Sequence, residues 1–266
     1  MLGSFLKSRG ISKKGLIAIK HQGGKVLVNG RPETVRFKLT EGDRVQVFFP
    51  PEKRSEGLRP DKLPLKVVFE DDYLLILDKP SGLPVIPSIR YPEKTLANGV
   101  LHYFDEQGLG STVHFLNRLD KDTEGLLAVA KFRHVHHLLT ADMKRVRRKY
   151  QAWVKGELAI QSGTVDAPIA RLEEGKVIRG VREDGQRAVT HFRVLEVQPG
   201  KTLVECCLET GRTHQIRVHM AHLGHPLLGD TLYDPHGDPA LGGQCLRSYH
   251  LAFCHPITGE ELVFEI

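Results

Sequence analysis

Hydrophobic residues in this chain come in short runs closed by turn signals, and this brevity narrows the fold first. Val67-Val68-Phe69 stops at Asp71-Asp72, and the apolar run 74–77 follows at once. Brief apolar or alternating runs bounded by turn residues read as strands rather than helices. Further strands are expected at 126–130, 150–154, 246–253 and 261–266. Segments 189–197 and 202–208 should form a long hairpin around Gln198-Pro199-Gly200. From residue 66 onward, helical spacing is confined to 94–104, 133–143 and 213–223, the last with Ile216, Met220 and Leu223 on one face. Many strands and few helices predict an α+β fold with a central, largely antiparallel mixed sheet. No run approaches the roughly 18 unbroken apolar residues of a membrane span.

The N-terminal quarter has a different character. Residues 1–65 hold 14 Lys+Arg against 6 Asp+Glu, whereas residues 66–266 hold 24 against 26. The net charge of +6 therefore comes wholly from the N-terminal end. That asymmetry suggests a polyanion-binding appendage on a near-neutral body. Segment 4–20 reads as two short helices, the second capped by Ser12 with Lys13, Lys14 and Lys20 on its exposed side. A strand from Lys25 to the Asn29-Gly30 turn and two more at 35–39 and 44–49 complete a small unit over 1–50. Residues 51–65, rich in proline and alternating charge, read as a mobile linker. Residues 66–266 form the body. The first twenty residues carry five basic side chains and no long apolar core, so no secretory leader is expected. Four cysteines in 266 residues fit buried thiols in a reducing cytoplasm rather than a disulfide framework.

Two constellations carry chemistry. Asn117-Arg118-Leu119-Asp120-Lys121-Asp122-Thr123-Glu124-Gly125 is a charge-dense loop running into the apolar strand 126–130. At a strand mouth it can offer a carboxylate to a cleft, and it also reads as a plain surface turn. Asp120 and Asp122 lie two apart and could face the same way. In Thr210-Gly211-Arg212-Thr213-His214-Gln215-Ile216-Arg217, Thr213 can cap a helix. Arg212, His214 and Arg217 then cluster near its N-terminus, which suits a phosphate or an ion pair.

These segments closely resemble the RluA-type family of RNA pseudouridine synthases. The match runs, in the family's order, from Lys79-Pro80-x-Gly82-Leu83 through Asn-Arg-Leu-Asp…Thr-x-Gly-Leu-Leu. It continues with Lys149-Tyr150-x-Ala152-x-Val154-x-Gly156 and Thr-Gly-Arg-Thr-His-Gln-Ile-Arg-Val-His. Gly224-His225-Pro226…Gly229-Asp230…Tyr233 and Phe253-x-His255-Pro256-x-Thr258-Gly259 complete it. Residues 1–50 resemble the S-four-like RNA-binding module through Ile11-Ser12-Lys13-Lys14, Gly23-Gly24-Lys25…Asn29-Gly30 and Gly42-Asp43-Arg44-Val45.

The resemblance implies isomerisation of uridine to pseudouridine in structured RNA, ribosomal or transfer. It implies Asp120 as the essential carboxylate, Arg217 as its partner, and Tyr150 as the ring that packs on the target base. A phenol has an ordinary pKa of ~10, so a role as base would need help from its surroundings. The base must be extruded before a pocket can hold it. Arg118 could contact phosphate or fill the vacated stack, and Arg212, His214 and Gln215 are further RNA contacts. Lys13, Lys14, Lys20 and Lys25 would add salt-sensitive backbone affinity. No electrons or phosphate change hands, so no cofactor is required; no metal set, membrane contact or obligatory protein partner is expected, and a monomer is the default. A non-catalytic RNA-binding factor retaining the fold is the alternative, and the intact Asp120, Tyr150 and Arg217 argue for the enzyme. Three positions depart from the pattern: Asn117 where His is common, Glu124 where Ser is common, and Arg247-Ser248 where His-Ala is common. Glu124, if turned inward, would raise the pKa of Asp120 or repel phosphate.

Overall fold

Ser12 accepts a hydrogen bond from the Gly15 amide at 3.1 Å, and this cap sets the start of the second helix. The computed structural model describes residues 1–141 and 143–266. Its N-terminal unit contains α1 (Leu2–Ser8), α2 (Lys13–His21), β1 (Lys25–Val28), β2 (Arg31–Pro32) and β3 (Val45–Phe48). The strands form a small antiparallel sheet in the order β2-β1-β3. Leu2, Leu6, Ile11, Ile19, Val26 and Val28 make its core. The expected strand at 35–39 is absent. Its carbonyls are engaged elsewhere: Val35 and Phe37 accept the Gly3 and Leu2 amides, so this segment caps α1 instead of joining the sheet.

The rest of the chain runs β4 (Val67–Glu70), β5 (Leu74–Lys79), α3 (Leu96–Glu106), β6 (His114–Phe115), β7 (Glu124–Ala130), α4 (Arg133–Ala141) and β8 (Arg147–Lys155). It continues with β9 (Ser162–Asp166), β10 (Ile169–Arg171), β11 (Arg179–Val181), β12 (Val189–Gln198), β13 (Lys201–Leu208), α5 (Gln215–His222), β14 (Leu246–Cys254) and β15 (Glu261–Glu265). Ten of these strands form one sheet, ordered β4-β5-β7-β14-β8-β13-β12-β9, with β15 on β14 and β6 on β7. Every pairing in it is antiparallel except β7 with β14. The mixed, largely antiparallel α+β architecture is the expected one.

Strands β5 and β7 are apolar on both sides because both faces of the sheet are covered. Leu75, Leu77, Leu127 and Val129 pack towards Val100, Phe104, Ile216 and Met220 of α3 and α5. Leu74, Ile76, Leu126 and Ala128 pack towards Val135 and Leu139 of α4. Gly125 lets β7 meet β14: its φ is +107°, and a Cβ there would lie 2.2 Å from the Ser248 carbonyl oxygen. The Thr-x-Gly spacing therefore reports a backbone contact that no side chain would allow.

Some boundaries differ from expectation. Helix α5 begins at Gln215 and ends at His222, because His214 takes the N-cap position in a left-handed conformation. Helix α4 ends at Ala141, and position 142 of the expected helix lies outside the described residues. Strands β6, β9, β10 and β11 carry too few consecutive apolar residues to show in the sequence. Cys206 is buried, but Cys207 and Cys245 are half-buried and Cys254 is exposed; all four are free thiols. Segment 51–65 is tied to the body at several points. Glu52 accepts from the Arg133 amide at 2.6 Å and lies 2.5 Å from His114 Nε2. Arg54 pairs with Asp105 at 2.6 Å and donates to the Ser111 carbonyl at 2.9 Å. The N-terminal unit also touches α4, where Phe49 stacks on His134. No helix among the described residues is long and apolar enough to cross a membrane.

Candidate active site

The two sequence constellations converge on one cleft of about 800 Å³, although Asp120 and Arg217 stand 97 positions apart in the chain. The loop before β7 forms one wall, the turn into α5 faces it, and Tyr150 of β8 lies between them. Arg217 Nη1 donates to Asp120 Oδ2 at 3.0 Å. The other edge of the same guanidinium forms a fork with Asp230, Nε to Oδ2 at 2.7 Å and Nη2 to Oδ1 at 2.8 Å. Asp230 is buried, so Arg217 is clamped before it reaches Asp120. Burial works against the Arg217 charge, but the hydrogen bonds to Asp230 and the charges of Asp230 and Asp120 outweigh it and raise its pKa. One carboxylate is thus held by a permanent cation at the cleft wall, with a quarter of its side chain exposed.

The Asp120 loop is fastened from below. Lys79 is fully buried at the end of β5, and its Nζ donates to the carbonyls of Pro80, Leu83 and Lys121 at 2.8–2.9 Å. Burial pushes its pKa down to about 8, partly opposed by Asp122, Asp120 and Glu124. Ser81 donates to the Asp122 carbonyl at 2.9 Å, and Gln244 donates to Thr123 Oγ1 at 3.0 Å. Asp122 does not line the cleft. It pairs with Lys121 at 3.2 Å, and a Cβ at Gly243 would lie 2.4 Å from its Cβ.

The opposite wall rests on Gln215. Its Oε1 accepts from the Thr210 hydroxyl at 2.7 Å and the Arg212 amide at 3.0 Å. Its Nε2 donates to the Val189 carbonyl at 2.9 Å and Thr190 Oγ1 at 3.0 Å. All four hydrogen-bonding positions of this buried amide are occupied within the protein, so Gln215 builds the turn and has no hydrogen-bonding position to spare. His219 continues the network, with Nδ1 on Thr190 Oγ1 and Nε2 on the Ala167 carbonyl, both at 2.9 Å. His214 holds φ at +58°, a costly conformation for a non-glycine residue. Its Nδ1 meets the Tyr233 hydroxyl at 2.8 Å, and its Nε2 lies 3.9 Å from Asp120 Oδ2. Burial lowers the His214 pKa against the pull of Asp120.

Tyr150 is buried and lines the cleft. Burial raises its pKa, opposed by the Arg148 charge and the Ser248 hydroxyl, so it is a neutral phenol at physiological pH. Arg118 is exposed at the cleft wall. Arg212 is exposed too, with Nε on the Arg187 carbonyl and Nη1 on Gln186 Oε1, both at 3.0 Å. Lys13, Lys14, Lys20 and Lys25 are exposed on the N-terminal unit and lie outside the cleft. Glu124 and Arg247, two of the departures from the family pattern, are register partners across β7 and β14 and lie 3.8 Å apart. Neither lines the cleft, so the added negative charge meets its own counter-ion rather than Asp120. Asn117 accepts weakly from the Ala128 amide at 3.4 Å.

Three contributors escaped the sequence reading. Asp230 stood inside a matched motif without a role, and only the fold brings it to Arg217. Lys79 had a visible signal, a lysine two positions beyond the apolar run 74–77. Arg148 had another, two positions before Tyr150 on a strand and hence on the same face.

The sequence profile described as RNA pseudouridylate synthase matches residues 73–222. The uncharacterized RNA pseudouridine synthase YjbO of Bacillus subtilis is 46% identical over 96% of this chain and 90% of its own length. A ribosomal large subunit pseudouridine synthase D from Xanthomonas campestris is 39% identical over 90% of this chain and 76% of its own. Among solved structures, human RNA pseudouridylate synthase domain containing 4 superposes with a TM-score of 0.61 at 25% identity, covering 76% of this chain and 87% of that one. The chain belongs to the RluA-type RNA pseudouridine synthases, enzymes that isomerise uridine in RNA.

Proposed function

We propose that the chain acts on uridine in large-subunit ribosomal RNA, with Asp120 as the reacting carboxylate. The observation that carries the second half is the Asp120–Arg217–Asp230 arrangement in the cleft. Glu209 also lines the cleft, but it is exposed and already pairs with Arg187 at 3.1 Å and His191 at 2.9 Å. The first half is supported by relatives described as large subunit pseudouridine synthases at 38–39% identity.

The reaction breaks the bond from ribose C1′ to uracil N1 and forms one from C1′ to C5. The C5 proton leaves and N1 gains one, so atoms and charge balance. The Asp120 carboxylate bonds to the substrate or stabilises cationic character at C1′. Arg217 balances its charge and aims it. The ring of Tyr150, kept neutral by burial, packs on the extruded base. Arg118 and Arg212 contact the strand around the target, and the S-four-like unit at 1–50 supplies further backbone affinity through its lysines. Four free thiols accord with a cytoplasmic protein, and we read it as a monomer that needs no protein partner.

A pseudouridine map of total RNA from cells with and without the gene tests this reading. A large-subunit position should lose the modification and regain it with the wild-type gene or Asp120→Asn's control, Asp122→Asn. Asp120→Asn should not restore it. Restoration by Asp120→Asn together with failure of Asp122→Asn would move the chemistry to Asp122. A lost site in transfer RNA instead would correct the substrate.

A further inference from the structure

We propose that Arg148 grips a backbone phosphate of the RNA next to the extruded uridine; this rests on the reading above that RNA threads the Asp120 cleft. Arg148 lines the cleft on β8, on the same strand face as Tyr150. Its neighbours on that strand face the other way and have counter-ions: Arg147 pairs with Glu261, and Lys149 lies 3.8 Å from Glu205. Arg148 has neither an ion-pair partner nor a hydrogen-bond acceptor among the described residues, and its Nε is buried without a partner.

The other cations of the cleft differ from it. Arg217 is clamped between two carboxylates, Lys121 pairs with Asp122, and Arg212 is fixed by two uncharged oxygens. Arg118 has no partner among the described residues, but it is exposed to solvent, where an arginine needs none. Arg148 is a half-buried guanidinium in a cleft whose two lining carboxylates, Asp120 and Glu209, already pair with Arg217 and with Arg187 and His191. A cation held this way, with no counter-ion among the described residues, is suited to an anion delivered by the substrate.

Gly211 points the same way. Its φ is not in the left-handed region, so the turn does not require glycine there. A Cβ at 211 would lie 3.5 Å from Arg148 Nη1, and any longer side chain would crowd the guanidinium. The missing side chain leaves the outer edge of Arg148 open to the cleft. A phosphate there lies between the strand bearing Tyr150 and the turn bearing Arg212 and His214, within one nucleotide of the base on Tyr150. Arg148 is a positioning residue in this account, since it acts through the backbone and not on the reacting atoms.

The test uses RNA labelled with [5-³H]uridine from cells lacking the gene, because isomerisation releases the C5 tritium. Arg148→Gln should lower kcat/KM by ~30-fold, mostly through KM, and Arg148→Lys should recover to within ~5-fold of wild type. The decisive reading is salt dependence. The log–log slope of kcat/KM against KCl should become shallower by ~0.7 in Arg148→Gln and stay unchanged in Arg148→Lys, as expected for one single-strand phosphate contact. An unchanged slope in Arg148→Gln, or a loss in kcat at constant KM, overturns the proposal. If Arg148→Gln does not fold, Gly211→Val, which crowds Nη1, must show the same shallower slope or the proposal fails. No tritium release by wild type would overturn the enzymatic reading of the cleft. The phosphate contact would then be decided by the same slope measured in filter binding of that RNA.

Discussion

The cleft and the N-terminal unit both carry positive charge, but they hold it in opposite ways. Arg217 is buried and shared between Asp120 and Asp230, with hydrogen bonds of 2.7–3.0 Å. Lys13, Lys14, Lys20 and Lys25 are exposed, and none has an ion-pair partner among the described residues. Water and salt screen the lysines, so each contributes little and any polyanion satisfies them. Arg217 is shielded from both, so its removal strands two carboxylates. On the proposed reading, position and orientation come from the buried set, and loose, salt-sensitive capture comes from the exposed one.

The largest effect should follow from breaking the clamp. Arg217→Met leaves Asp230 buried without its counter-charge and should cost ~3–5 kcal/mol of stability. Arg217→Lys keeps the charge but cannot span two carboxylates at once, so turnover should fall by ~10²-fold even where the fold survives. Urea midpoints and tritium release measure the two. Full turnover in Arg217→Lys would mean that charge alone suffices in the cleft, and the contrast with the N-terminal unit would collapse.

Lys79 tests whether buried charge beneath the loop matters as much as buried charge within it. Lys79→Met removes the donor from three carbonyls and should destabilise the protein by ~3 kcal/mol at pH 7. The pH dependence has a definite sign. With its pKa at about 8 rather than the ordinary 10.5, Lys79 loses its proton in the folded protein while the unfolded chain keeps it. Stability from this group therefore rises with pH between about 8 and 10.5. The gap between wild type and Lys79→Met should widen from pH 7 to pH 9.5 in urea titrations. A constant gap would show that the ammonium is fully accommodated by its three acceptors.

The exposed side should respond more mildly. Lys13→Gln with Lys14→Gln should weaken RNA binding several-fold at low salt and flatten the salt slope by ~0.7–0.9 per residue. The turnover number at saturating RNA should stay unchanged. A drop in that number instead would tie the N-terminal unit to the chemistry.

Legibility in the sequence followed the range of the interactions. Strands β5 and β7 showed because continuous apolar runs mark a sheet covered on both faces. The Ser12 cap showed because it acts within three residues. The 35–39 segment misled because its apolar residues suit a strand, while its carbonyls serve α1 some thirty positions earlier. Gln215 looked like a contact residue in a basic motif, and only the fold reveals Val189 and Thr190 filling its amide. The Arg217–Asp120 pair came from resemblance, whereas the Asp230 fork that makes it rigid is purely three-dimensional.

The smallest effect discriminates best between region and burial as the governing variable. Glu124 and Arg247 belong to the body, and Glu124 lies one residue beyond the Asp120–Thr123 turn, yet their side chains are 46% and 39% exposed. If proximity to the cleft set the strength of a charge pair, exchanging them would matter as much as touching Arg217. If burial sets it, they should behave like the lysines of the N-terminal unit. At 3.8 Å and this exposure, a double-mutant cycle with Glu124→Gln and Arg247→Gln should give a coupling of ~0.5 kcal/mol or less, shrinking further in salt. The charge-reversed protein, Glu124→Arg with Arg247→Glu, should keep its urea midpoint and its tritium release. A coupling above ~2 kcal/mol, in the range of a buried pair, would place the boundary at the edge of the active-site loop rather than at the edge of solvent.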